Sequence, residues 1–138
     1  MPRALVLCTG NSCRSQMAEE LFKLESSEAW QADSAGSNPA GYVHPMAITA
    51  MGELGCDLSN HQSQHLDEFT SNTYDLVVTV CDNAKESCPV FPNATRTVHW
   101  PFEDPAYAVG TDDEKMIEFR RIRDQIRERI RLFLQTGN

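Results

Sequence analysis

The stretch CTGNSCRS, residues 8–15, separates a short apolar run from a segment with helical spacing. The apolar run, residues 3–7, predicts a buried strand, and residues 16–23 carry apolar side chains at the spacing of one helical face. The stretch is therefore predicted to be a loop between a strand and a helix. Backbone N–H groups converge at the N-terminus of a helix and favour an anion there. The sequence thus predicts an oxyanion-binding loop at residues 8–15.

The polar residues of this loop fit the binding and the attack of an oxyanion. Converging N–H donors and Arg14 favour the thiolate form of Cys8, which is the nucleophilic form. The planar guanidinium of Arg14 can bind a tetrahedral oxyanion through two hydrogen bonds. Ser15 can donate its hydroxyl to the Cys8 sulfur. The predicted oxyanion-binding residues are Thr9, Gly10, Asn11, Ser12, Cys13 and Arg14.

The motif CTGNSCRS resembles that of the low-molecular-weight protein tyrosine phosphatases and of the arsenate reductases that share their fold. The phosphatases usually have proline after the final serine, whereas this chain has Gln16, which resembles the reductase branch. The alternative is a plain strand–turn–helix that holds two buried free cysteines. Cys13 is expected to pack beneath the loop rather than react.

Length and composition narrow the class of protein. The 138 residues, 41% of them hydrophobic, predict a single soluble globular domain over residues 1–138. A net charge of −8 argues against a nucleic-acid partner. The apolar run of residues 4–7 is too short for a signal peptide or a membrane span, so a cytoplasmic protein without a membrane partner is expected. Five cysteines, an odd number, favour reactive thiols over a disulfide framework.

Strand-like and helix-like segments alternate along the rest of the chain. Pro45 and Gly55 are predicted to bound a second helix, and Thr111 with Glu114 forms a capping box for the last one. Two further strands are predicted at residues 74–80 and 95–100. The pattern predicts an α/β fold, a four-stranded parallel sheet with helices on both faces. The strand order 2-1-3-4 is implied by the resemblance to the phosphatase fold.

Cys81 and Cys88 lie seven residues apart, directly after the strand at residues 74–80. In a helix their Cα atoms would be about 10.5 Å apart along the axis, whereas a disulfide needs about 7 Å or less. The two cysteines can therefore bridge only if the segment loops out, which makes them a candidate redox switch. The motif VCDNAKESCP resembles the redox segment of thioredoxin-coupled arsenate reductases. The alternatives are two unconnected thiols and, with poorer ligand spacing, a zinc site.

The resemblance implies an enzyme that reduces arsenate to arsenite in arsenic detoxification. Cys8 would be the nucleophile, and Cys81 with Cys88 the redox pair that thioredoxin regenerates. Asp104, in the sequence FEDPA, would be the general acid. The alternatives are a solvated Asp-Pro turn at Asp104, a phosphotyrosine phosphatase that has no use for Cys88, and a thiol redox sensor. Residual phosphatase activity is compatible with the reductase.

Several smaller predictions concern metals, partners and surface residues. Some reductases of the family bind potassium through Asn, Glu, Ser and Asp; Asn11, Glu19 and Ser34 match, but Gln64 occupies the fourth position. No other metal or cofactor is predicted, because His61 and His65 lack a third ligand and are expected to be solvated. Tyr42 and Tyr107 are expected to be exposed loop residues that could line the pocket. The arginines of the last helix are expected to form a solvated face, and a monomer is expected.

Overall fold

The computed structural model describes residues 1–82 and 89–138. Seven elements form its frame: β1 (Arg3–Cys8), α1 (Arg14–Glu25), β2 (Gln31–Gly36), α2 (Pro45–Gly52), β3 (Tyr74–Thr79), β4 (Ala94–His99) and α3 (Asp112–Thr136). Two short 3₁₀ helices, Leu66–Phe69 and Pro105–Tyr107, lie between them. Within the described ranges, no helix has the length and apolar character needed to cross a bilayer.

The four strands form one parallel sheet in the order β2-β1-β3-β4. This confirms the parallel sheet and the strand order that the resemblance implied. In the register of the sheet, Leu7 of β1 lies opposite Ala35 of β2 and Thr79 of β3. The carboxyl ends of β1 and β3 therefore meet at one edge of the sheet, where Cys8 and Cys81 lie.

Alternate residues of β1 and β3 point into two separate cores, as strand geometry requires. Ala4, Val6, Leu76 and Val78 face the core formed by α1, α2 and α3. Residues of the opposite parity face a smaller core, closed by the 3₁₀ helix Leu66–Phe69 and by Phe91. The predicted α/β class with helical cover on both faces is thus confirmed, with the α-helices on one face and a 3₁₀ helix on the other.

Helix ends differ from the predicted ones where local hydrogen bonding decides them. The first helix spans Arg14–Glu25, so it begins inside the predicted loop. The second ends at Gly52 rather than at Gly55, which has φ +81° in the turn that follows. The capping box of α3 is confirmed, because Thr111 Oγ1 accepts from the Glu114 amide at 3.2 Å and Glu114 Oε1 accepts from the Thr111 amide at 3.1 Å.

The prediction of a solvated arginine face on α3 is wrong for part of that face. Arg123 is buried, and its Nη1 donates to Glu53 Oε1 at 2.7 Å. Arg127 and Arg131 both donate to the carboxylate of Glu25, at 2.8 and 2.5 Å. The reason is that α1 ends in an acidic residue and α2 is followed by one, and both face α3. These arginines therefore join the helices of one layer to each other.

Candidate active site

The loop between β1 and α1 is shaped by the residues that follow β2, here called the bracing segment, residues 37–44. Its amides donate to loop carbonyl oxygens at 2.9 to 3.3 Å: Ser37 to Cys8, Asn38 to Thr9, Ala40 to Gly10 and His44 to Ser12. These contacts hold the loop backbone from the side of the bracing segment, and the Asn11 amide donates to the Cys8 sulfur at 3.2 Å. Backbone contacts thus fix the conformation of the loop for which the sequence predicts oxyanion binding.

Two positions allow the loop to lie this close to its neighbours. Asn11 has φ +47° and is fully buried, in the conformation that asparagine tolerates better than most residues. Gly36, at the end of β2, faces the loop backbone directly. A Cβ there would overlap the carbonyl oxygen of Thr9 and lie 3.1 Å from the Asn11 nitrogen. Only a residue without a side chain fits at this contact.

The Cys8 sulfur lies at the centre of a buried hydrogen-bond network. It accepts from the Asn11 amide at 3.2 Å and lies 2.9 Å from Ser15 Oγ. Asn11 Nδ2 donates to that same Ser15 oxygen at 2.8 Å, which leaves the serine hydrogen for the sulfur. Two donors therefore point at Cys8, and both stabilise a negative charge on its sulfur. The role predicted for Ser15 has the required geometry.

The N-terminus of α1 is open to an anion. Cys13 occupies the N-cap position but its side chain makes no capping hydrogen bond, and the first turn contains no acidic residue. N–H groups at a helix N-terminus of this kind can donate to a bound oxyanion. Burial raises the pKa of the Cys13 thiol, which suits the predicted packing role.

Arg14 and Asp104 meet at one side of the pocket. Arg14 is buried, and its Nη1 donates to the carbonyl oxygen of Phe102 at 3.1 Å. Its Nη2 lies 3.4 Å from Asp104 Oδ2. Asp104 Oδ1 accepts from the Ala106 amide at 3.0 Å, which fixes the carboxylate at the start of a 3₁₀ helix. The structure thus brings the predicted acid beside the predicted oxyanion-binding guanidinium.

The pocket above Cys8 has a volume of about 190 Å³. Besides the loop, it is lined by Ala40, Tyr42, His44, Asp104, Ala106 and Tyr107. Tyr42 and Tyr107 are exposed, as predicted, and also line the pocket. The volume is below the about 300–1,000 Å³ of pockets for drug-sized ligands, and suits a small anion.

Cys81 is fully buried two residues after the end of β3. It is disulfide-bonded in this structure, whereas Cys8, Cys13 and Cys56 carry free thiols. The Val80 amide donates to the Leu7 carbonyl at 2.9 Å, which holds the chain before Cys81 beside the end of β1. The predicted redox partner Cys88 lies outside the described residues.

A second network connects the loop to the chain around residue 61. Gln16 is buried, and its Nε2 donates to Asn11 Oδ1 at 3.0 Å and to the Gln62 carbonyl at 2.9 Å. His61 lies 3.0 Å from Gln16 Oε1 and 2.9 Å from Glu20 Oε1. The prediction that His61 is solvated is therefore wrong, because α1 offers it two acceptors. His65 is more exposed and caps the 3₁₀ helix Leu66–Phe69.

The potassium site implied by the resemblance does not fit this arrangement. Asn11 Oδ1 already accepts from Gln16 and from the Gln64 amide, the latter at 2.8 Å. Lys23 Nζ lies 3.6 Å from Glu19 Oε2, and His61 Nδ1 lies 3.5 Å from the same oxygen. Glu19, Glu20 and His61 could together hold a metal ion, but the lysine competes for both carboxylates. A cation here would have to displace donors that the protein supplies.

Sequence reasoning missed the structural roles of Gln16 and His44. The sequence pattern gave Gln16 no structural role. In the structure its side chain links the loop to Gln62, which is 46 positions away along the chain. His44 directly precedes Pro45, a residue favoured at the first position of a helix, so its place as an N-cap was detectable. Its place in the pocket was not, because that depends on how the bracing segment meets the loop.

Comparisons with known proteins identify the family of this chain. The sequence pattern of the low molecular weight phosphotyrosine protein phosphatases matches residues 3–137. An arsenate reductase of Halalkalibacterium halodurans is 49% identical over 131 residues, 95% of this chain and 94% of the relative. An arsenate reductase of Bacillus subtilis is 47% identical over the same shares.

Solved structures of arsenate reductases share the fold of this chain. The arsenate reductase from Archaeoglobus fulgidus superposes with a TM-score of 0.78 at 32% identity, covering 96% of this chain and 98% of that one. A thioredoxin-dependent arsenate reductase from Corynebacterium glutamicum superposes with a TM-score of 0.74 at 26% identity, over 99% of this chain and 61% of that one.

Proposed function

The chain belongs to the low molecular weight phosphotyrosine protein phosphatase family, and from this membership we propose that it reduces arsenate to arsenite. The observation that carries the proposal is the Cys8 sulfur, which receives two hydrogen bonds at the base of a loop built for an oxyanion. The relatives named arsenate reductase support arsenate as that oxyanion.

The first step is attack by the Cys8 thiolate on the arsenic atom. Loop amides and Arg14 hold the arsenate oxygens and stabilise their charge. A sulfur–arsenic bond forms, and one arsenic–oxygen bond breaks. Asp104, 3.4 Å from Arg14 at the rim of the pocket, supplies the proton with which that oxygen leaves as water. Arsenic remains pentavalent at this stage.

The second step transfers two electrons to arsenic. The Cys81 thiolate attacks the Cys8 sulfur, so that a Cys8–Cys81 disulfide forms and the electron pair of the sulfur–arsenic bond stays on arsenic, which leaves as arsenite. Two observations support Cys81 in this role. It follows β3, the strand beside β1, and it is a residue that forms a disulfide.

The third step restores Cys8. Cys88, outside the described residues, attacks Cys81, releases the Cys8 thiolate and leaves a Cys81–Cys88 disulfide. A dithiol protein of the thioredoxin class then reduces this disulfide, as the thioredoxin dependence of the Corynebacterium glutamicum relative suggests. Such a relay needs a reducing compartment, which favours the cytoplasm.

Hydrolysis of phosphate esters is the second candidate function. The family name and the Cys8, Arg14 and Asp104 arrangement favour it, because the same thiolate and acid could form and release a phosphocysteine. Such a reaction uses neither Cys81 nor Cys88. The two functions therefore differ in their need for the second and third thiols.

The test measures arsenate-dependent oxidation of NADPH by the reduced chain with thioredoxin and thioredoxin reductase. Hydrolysis of p-nitrophenyl phosphate is measured in parallel. We expect Cys8→Ser to stop both reactions, and Cys81→Ser and Cys88→Ser to stop only multiple-turnover arsenate reduction. Cys56→Ser is the matched control, since it removes a free thiol outside the pocket.

Three outcomes would contradict the proposal or one of its parts. Unchanged arsenate turnover by Cys88→Ser would refute the three-thiol relay. Turnover of the aryl phosphate alone by the wild-type chain would make it a phosphatase. NADPH oxidation that a monothiol reductant supports as well as thioredoxin does would refute the choice of reductant.

A further inference from the structure

His44 is held by two separate hydrogen bonds, one to the oxyanion-binding loop and one to α2. Its backbone amide donates to the Ser12 carbonyl oxygen at 3.1 Å, inside the oxyanion-binding loop. Its ring atom Nδ1 accepts from the Met46 amide at 3.1 Å and so caps α2. Backbone and side chain are therefore both held, and the position of the ring relative to the loop is restricted.

The capping bond also determines which nitrogen of the ring carries the proton. An Nδ1 atom that accepts a hydrogen bond has no hydrogen, so a neutral His44 carries its hydrogen on Nε2. Burial lowers the pKa of His44, Asp104 opposes the shift and Lys115 adds to it. The ring packs against Phe119, with centroids 4.7 Å apart, which restricts its rotation. His44 is thus a neutral donor of fixed orientation near pH 7.

This donor belongs to the same pocket as the nucleophile. His44 lines the 190 Å³ pocket together with Cys8, Arg14 and Asp104. Among the described residues, no side chain or carbonyl group accepts a hydrogen bond from its Nε2. A tetrahedral anion presents four oxygens, and those that the loop amides and Arg14 do not hold remain available to another donor of the pocket lining.

We propose that His44 donates its Nε2 hydrogen to an oxygen of the bound oxyanion, and so determines affinity for the substrate from its own part of the pocket wall. The inference deepens the proposed function and rests on it for the identity of the oxyanion. A neutral donor strengthens binding through one hydrogen bond, whereas Arg14 adds a positive charge to its hydrogen bonds. His44 would therefore affect tetrahedral anions of similar size alike, including inorganic phosphate.

Two substitutions distinguish the roles of the two ring nitrogens, helix capping by Nδ1 and anion binding by Nε2. Asparagine is a good N-cap, so His44→Asn keeps an acceptor for the Met46 amide but has no donor that reaches the pocket. Glutamine in His44→Gln can place an amide donor where Nε2 lies, but it loses the short capping contact. The first variant is expected to lose anion affinity, and the second to lose thermal stability.

The experiment is calorimetric titration of the reduced full-length chain with inorganic phosphate, together with arsenate kinetics. For His44→Asn we expect the phosphate Kd and the arsenate KM to rise about tenfold, the effect of one lost hydrogen bond of typical strength. Its kcat should change less than its KM, since the donor binds substrate and transition state alike. His44→Gln should bind phosphate nearly as wild type does, with a lower melting temperature.

His65→Asn is the matched control. His65 also caps a helix through Nδ1, which accepts from the Asp67 amide at 3.0 Å, but it does not line the pocket. The His65→Asn variant should bind phosphate as wild type does. Equal phosphate affinity of His44→Asn and wild type would overturn the inference, and so would an Nε2 nuclear magnetic resonance of wild-type His44 that does not move when phosphate binds. Weaker phosphate binding by His44→Asn, in a chain whose wild type does not reduce arsenate, would support the His44 contact and refute the reductase.

Discussion

At the level of single residues, the surroundings of the Cys8 sulfur depend on the direction of the Ser15 hydroxyl hydrogen. Ser15 receives a hydrogen bond from Asn11 Nδ2 and can therefore direct its own hydrogen only to the Cys8 sulfur. Asn11 and Ser15 are fully buried, so no water competes for the bond between them or for the bond from Ser15 to the sulfur. A buried pair of this kind holds the sulfur in one environment, which is the preorganisation that nucleophilic catalysis requires.

Replacing Ser15 by alanine should slow the reaction of Cys8 with iodoacetamide at neutral pH by about tenfold or more. A hydrogen bond to a charged group contributes about 1.5–3 kcal/mol, and about 1.4 kcal/mol corresponds to one factor of ten. The rate is measured by mass spectrometry of the alkylated peptide. Ser63→Ala serves as the control, because the Ser63 hydroxyl bonds the Gly10 carbonyl at 3.0 Å without reaching the sulfur. Equal alkylation rates for Ser15→Ala and wild type would show that the serine does not stabilise the thiolate.

At the level of elements, the loop depends on the end of the neighbouring strand β2. Gly36 pairs with Cys8 across the sheet, and its amide donates to the Gln64 carbonyl at 2.9 Å. The last residue of β2 is thus packed between the loop and the chain around residue 64. Space at this one position determines how closely β2, the loop and the bracing segment approach each other.

Gly36→Ala should impair both folding and oxyanion binding. The added methyl group would overlap the Thr9 carbonyl oxygen, and such overpacking costs about 1–3 kcal/mol. Urea denaturation and phosphate titration measure the two effects. Gly52→Ala is the matched control, since a Cβ at Gly52 of α2 meets nothing within 4 Å and alanine favours helix by up to about 1 kcal/mol. Wild-type phosphate affinity in Gly36→Ala would mean that the loop tolerates displacement.

At the level of the whole molecule, the chain around residue 61 is held to α1 by an ion pair that depends on pH. The hydrogen bond to Glu20 is the main cause that raises the pKa of His61; burial opposes it, and the charge of Glu19 supports it. The pKa of Glu20 is lowered, chiefly by the same bond, so Glu20 stays ionised at neutral pH. This pair contributes to stability only while His61 carries its proton.

The stability that His61 contributes should decline with rising pH. It is fully present below the pKa of histidine in the unfolded chain, about 6.5, and is lost as pH rises through the higher pKa of the folded state. The free energy of unfolding of wild type, minus that of His61→Gln, should therefore fall as the pH rises above about 6.5. Urea denaturation at several pH values measures this difference. His65→Gln provides the comparison; a pH-independent difference for His61→Gln would contradict the proposed ion pair.

We also propose that arsenate turnover does not require potassium. Lys23 and His61 already place positive charge beside Glu19, and Asn11 Oδ1 has two protein donors. Replacing potassium by sodium or by choline, at constant ionic strength, should leave kcat and KM for arsenate unchanged. A potassium-dependent rise in turnover would show that a cation displaces these contacts.

The sequence predicted those features that depend on neighbouring residues. The strand, loop and helix around residues 8–15 and the capping box of Thr111 follow from local patterns. The partners of Arg123 and His61 could not be predicted, because Glu53 is 70 residues from the first and Glu20 is 41 from the second. Polar side chains were therefore expected in solvent where the packing of the helices provides acceptors.

The bracing segment shapes the pocket with backbone amides, and this determines which substitutions the site can tolerate. A side-chain change at Ser37, Asn38 or Ala40 leaves the N–H group in place, whereas proline would remove it. The chain already has proline at position 39, between two amides that brace the loop. In a library of all single substitutions, these three positions should accept many residues and reject proline. Side chains around the pocket can thus change without loss of the backbone contacts that shape the loop.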